Sequence, residues 1–148
     1  MIESNIYPKP EFLKKFPLKK LPIADERVSF AFYPNIYLAP EVYENLFSEN
    51  PTDYTLAILK HEQTHIQRQK AKGRLRWLFR YILSSNFRFS EELEAVKVEF
   101  GFMKKKGWEY DIEKLAKDYS GETYTLPFSK ATSFNFVKNK LKKAWDEA

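Results

Sequence analysis

Two histidines four positions apart, His61 and His65, with Glu62 beside the first, are the residues of this chain whose types and spacing point most directly to chemistry. They fall in Ile58-Leu59-Lys60-His61-Glu62-Gln63-Thr64-His65-Ile66 and make up the whole histidine complement of 148 residues. On a helix, side chains four apart share a face with Cβ atoms about 5–6 Å apart, so two imidazoles can converge on one divalent ion at about 2.0–2.1 Å each. Zn2+ suits that donor pair. Glu62, one position on, is expected to face the open side of the ion, where a carboxylate takes a proton from a metal-activated water instead of ligating. The bland alternative, a solvated helix face, leaves it to chance that both histidines fall at this spacing with a glutamate between them. Gln63 and Thr64 are uncharged, as active HExxH motifs require. Gln67, two after His65, stands where an apolar residue is common, which implies a more open or differently packed helix end.

A catalytic zinc site takes three protein ligands and keeps a fourth position for water. Both histidines are used and the chain has no cysteine, so a carboxylate must complete the set. Glu91, Glu92 and Glu94 are the cluster in range. They fall in the first turns of an expected helix, where the dipole favours negative charge anyway, so spacing alone leaves all three open.

HExxH followed by Glu92-Leu93-Glu94-Ala95, an E-x-x-A form on a second helix, resembles the gluzincin metallopeptidases. In outline the chain is similar to their short phage and bacterial members, the likeness covering residues 61–95 well and the flanks less. That resemblance implies a zincin-like domain in which the HExxH helix packs against a glutamate-ligand helix. It implies Glu92 as third ligand with His61 and His65, Zn2+ as cofactor, and hydrolysis of peptide bonds with Glu62 as general base and later proton donor. It also implies a peptide or protein substrate, with bacterial cell-wall peptides a subset if the source is a phage. Val96 occupies the position where many members carry an aspartate that orients a ligand histidine, so that contact must come from elsewhere or be missing. The alternative is a catalytically weak or inactive metallopeptidase-like structural or binding protein, for example a phage component, whose metal stabilises the fold.

Other features weigh less. Arg68, Lys70, Lys72, Arg74, Arg76 and Arg80 interleave with Trp77 and Tyr81 in a composition that can bind an anionic polymer, but a solvated face is the commoner use. The net charge of +5 is too small to single out nucleic acid, which is not expected as a partner. An oxyanion would need a donor besides the metal; Tyr124 and Arg88 are candidates, neither preferred.

The elements that must position these residues follow from pattern. Hydrophobic residues at 43% and charged residues at 30% describe one globular domain, residues 1–148, with residues 1–20 as a proline-containing extended arm. Residues 27–33 alternate and are rich in β-formers, Pro34-Asn35 marks a turn, and residues 36–38 form a second short strand. Helices are expected at 40–47, at 53–72 with Thr52 as cap and Gly73 as stop, at 75–83, at 91–106 capped by Ser90, at about 112–120 between Asp111 and Gly121, and at 134–147. The class is therefore α+β, mostly helical with a small β-sheet. The opening lacks the apolar run of a signal peptide, and residues 77–83, interrupted by Arg80, fall far short of the roughly 20 that span a bilayer. A cytoplasmic or virion-associated protein that does not enter membranes is expected.

Overall fold

A computed structural model describes residues 5–15, 22–121, 124–126 and 129–148. The chain is mostly helical with a three-stranded sheet, an α+β fold. Contacts group it into two compact units, residues 1–74 and 75–148. Of the expected N-terminal arm, residues 1–4 and 16–20 lie outside the described residues.

The first unit is built on β3 (Asn35–Leu38), the central strand of the order β1-β3-β2. Its period of two buries Ile36 and Leu38 completely, while Tyr37 on the other face stacks on Phe30 and Tyr7. β2 (Phe30–Phe32) pairs antiparallel with it, so the expected hairpin is present with a shorter first arm. β1 (Asn5–Pro8) adds in parallel, Ile6 opposite Ile36. This third strand comes from the segment that the composition presents as an arm. Two of its four residues are Tyr7 and Pro8, and the proline removes a donor that only an edge position tolerates.

α1 (Pro40–Leu46) opens on a proline, whose missing N–H costs nothing at that position. α2 (Asp53–Lys72) spans the expected range; the Thr52 hydroxyl accepts from Thr55 N at one end, and Gly73 at φ 83° ends the other. Ile66 packs with Ile36, Leu38, Ala39 and Val42, flanked by Ile58 and Leu59. Gln69, fully buried, fixes the helix to the sheet edge: its amide donates to Ala31 O at 2.9 Å and its carbonyl accepts from Tyr33 N at 2.8 Å. One side chain thus satisfies the outward-facing backbone of β2, which would otherwise be an open edge.

α3 (Arg74–Leu83) leads into the second unit, which continues with α4 (Ser85–Lys105), α5 (Ile112–Ser120) and α6 (Phe134–Glu147). Its core joins Phe89, Val96 and Phe100 of α4 to Ala116 and Tyr119 of α5 and Val137, Leu141 and Ala144 of α6. α4 begins six residues before the expected start. Its cap is Ser84, whose hydroxyl accepts from Phe87 N, and not Ser90, which lies inside the helix and donates to Phe87 O at 2.8 Å. The hydroxyl of a mid-helix serine can turn back to a carbonyl in this way, and Ser84 takes the cap because Ser85, Asn86 and Phe87 continue the helix without a break. Asp111 caps α5 as expected, accepting from Lys114 N at 2.9 Å.

Candidate metal centre

α2 departs from an ordinary amphipathic helix in what it buries. Alongside Ala57 and Ile66, its buried residues include Thr55, His61, Glu62, His65 and Gln69. Buried charge and imidazole are costly unless they are paired or hold an ion, so this face needs a reason. His61, His65 and Gln69 stand at successive intervals of four and share it. Since Gln69 is fixed to β2, the rotation of the helix about its axis is fixed with it, and both imidazoles are turned inward, 9% and 5% exposed.

The two rings meet edge to face with centroids 5.0 Å apart, and their Nε2 atoms approach to 3.2 Å. Two nitrogens that far apart, each about 2.05 Å from one ion, would subtend about 100° at it, near the roughly 109° of a tetrahedron. Glu92, the third ligand that the resemblance implies, lies on α4 in the second unit. Two imidazole nitrogens at this separation suit zinc, so the pair on α2 fits the group. Glu62 is 5% exposed and lies about 100° around the helix from His61.

The three neighbouring glutamates have different surroundings. Helix α4 starts at Ser85, so Glu91 and Glu92 sit two turns in, away from the N-terminal dipole that would otherwise account for them. Glu91 is fully buried and accepts from the indole of Trp77 at 2.8 Å. Glu92, 4% exposed, accepts from the Tyr81 hydroxyl at 2.5 Å. Glu94 faces solvent and pairs with Lys97 one turn on at 2.7 Å. Of the three, Glu91 and Glu92 are buried and Glu94 is not.

Trp77 and Tyr81 are four apart on α3 and stack at 4.6 Å, so one aromatic pair presents donors to two adjacent carboxylates. Burial, with the Glu92 charge beside it, holds the Tyr81 phenol well above its usual range, so it stays protonated and donates. Nothing in the pattern marked these two as partners of the glutamates; an aromatic pair at helical spacing reads as core.

Arg88 is 2% exposed and its guanidinium donates to the carbonyls of Tyr81, Tyr124, Ser129 and Lys130 and to the Ser129 hydroxyl. It is a fastener for the loop after α5, and this removes it as an oxyanion donor. Tyr124 packs on Tyr119, ring centroids 4.7 Å apart. Gln67 is exposed, and the end of α2 packs through Ile66 and Gln69 instead. Among the basic residues, Arg74 lies over the Phe32 ring and Arg80 over the Phe87 ring.

Among the described residues no helix is long and apolar enough to cross a membrane. No protein-family model matches the chain, and neither a curated protein nor a solved structure matches it.

Proposed function

We propose that the chain is a zinc-dependent metallopeptidase that hydrolyses peptide bonds with Glu62 as general base. The observation that carries this reading is the pair of buried imidazoles on α2 whose Nε2 atoms stand 3.2 Å apart beside a buried glutamate. His61, His65 and Glu92 would hold the ion. When bound, zinc supplies a Lewis acid that acidifies a water and polarises the scissile carbonyl. Glu62 takes the proton of the attacking water as its oxygen bonds to the carbonyl carbon. Glu62 then gives that proton to the amine as the C–N bond breaks, so no covalent intermediate with the protein is needed. The substrate class is peptide or protein, cell-wall peptides being the subset that the resemblance to phage gluzincins suggests, and the setting that goes with it is the cytoplasm or a virion.

One observation favours a second reading. All four site residues are buried, 4–9% exposed, which suits a structural metal closed to substrate as well as a catalytic one. The test compares Glu62→Gln with wild type on a peptide library. The catalytic reading expects zinc content to be kept and turnover to fall by at least a hundredfold, with chelator abolishing wild-type cleavage and zinc restoring it. Absence of cleavage by the zinc-loaded wild type, with chelator lowering only its melting temperature, would establish the structural role instead.

A further inference from the structure

Glu92 carries a partner that the zinc reading does not use. Tyr81 comes from the preceding helix, α3, and its hydroxyl reaches Glu92 Oε1 at 2.5 Å, a short bond of the kind made to a charged acceptor. Three contacts fix that hydroxyl. The ring stacks on Trp77 at 4.6 Å, and the Trp77 indole is itself held by Glu91 Oε2 at 2.8 Å. The backbone carbonyl of Tyr81 accepts from Arg88 Nη1 at 2.7 Å, and Arg88 stands four residues before Glu92 on α4. The end of α3 and the ligand-bearing turn of α4 are thus joined at both backbone and side-chain level.

We propose that Tyr81 is a positioning residue for the metal site: its hydroxyl engages one oxygen of Glu92 and sets the carboxylate to ligate through the other. A glutamate has three side-chain torsions and two equivalent oxygens, and a bare carboxylate beside an ion can bind through either or both. A donor fixed to Oε1 removes that freedom before the ion arrives. It also takes up part of the carboxylate charge in a buried setting, which lowers the cost of holding Glu92 ionised without metal.

This inference rests on the zinc reading, and its test separates the two. Zinc affinity is measured by competition with a chromophoric chelator for wild type, Tyr81→Phe, Glu92→Gln and the double variant, with circular dichroism as a check on folding. Phenylalanine keeps the ring on Trp77 and removes only the hydroxyl. The expected result is zinc binding by wild type and a loss of about 10–100-fold in Tyr81→Phe, the usual effect of losing an outer hydrogen bond to a ligand. In the Glu92→Gln background the same substitution should change affinity less than twofold, and para-aminophenylalanine at position 81, which restores a donor, should recover most of the loss. Wild-type affinity in Tyr81→Phe, or an equal loss in both backgrounds, would overturn the positioning role while leaving the zinc site standing. A Tyr81→Phe chain that no longer folds would overturn it too, by making the hydroxyl structural. Failure of the wild type to bind zinc would sink the metal reading and this inference together.

Discussion

At the scale of single residues, the buried polar side chains decide most. Gln69 bridges Ala31 O of β2 and Tyr33 N just after it, and no apolar residue of similar size can do this. Gln69→Leu should orphan Tyr33 N and Ala31 O at a cost of about 1–3 kcal/mol each, read as a fall in the urea midpoint, and should loosen the fit of α2 that turns His61 and His65 inward. Arg88→Leu should be more severe, because four carbonyls lose their donor at once. A loss of more than 4 kcal/mol, seen as a collapsed melting transition, is the expectation. Both roles were invisible in the pattern. The shared face of His61 and His65 was legible because helical geometry converts a four-residue spacing directly into one. Gln69 sits at the same spacing, yet an amide has no metal chemistry to announce it, and its partners come from 36 and 38 residues away. Arg88 is a comparable case, with an acceptor as far off as Lys130.

At the scale of elements, caps and turns set where each helix begins. Thr52→Ala should cost about 1 kcal/mol through loss of the bond to Thr55 N. Ser84→Ala should cost a similar amount, whereas Ser90→Ala should change stability by less than about 0.5 kcal/mol, since Ser90 only turns back to Phe87 O inside the helix. Denaturant midpoints of the pair check which serine is the cap. The range of α2 was readable because Thr52 and Gly73 bracket it with strong signals. The start of α4 was displaced because the residues 84–90 contain three serines, each a plausible cap by type, and only the backbone distinguishes them. Asp25, in the turn after the short 3-10 helix Pro22–Ala24, accepts from Arg27 N, Nε and Nη2. Those bonds hold its carboxyl down at about 2, below the roughly 3.9 of an unfolded chain. Its contribution to stability is therefore present above about pH 4 and lost as pH falls through about 2. Asp25→Asn should lower stability at neutral pH and flatten the acid limb over that window, so that the two chains converge as pH falls to about 2.

At the scale of the whole molecule, charge and metal make separate claims. A net charge of +5 is modest, and Arg74 and Arg80 lie over the chain's own aromatic rings. The α+β class followed from short β-rich runs set among long helical periods, and it is what the chain adopts. The first strand escaped because four residues containing a proline have no periodicity to show and acquire their partner, β3, only in the fold. Zinc that binds the folded chain and not the unfolded one should stabilise it by about 2.7 kcal/mol at a free concentration of a hundred times Kd. The most direct test of the central claim is zinc content and melting temperature of the purified protein beside His61→Ala/His65→Ala, each with and without added zinc. One zinc per chain in the wild type, a melting point that rises with zinc, and neither in the double variant is the predicted result. Equal zinc content and equal melting behaviour in the two proteins would contradict it.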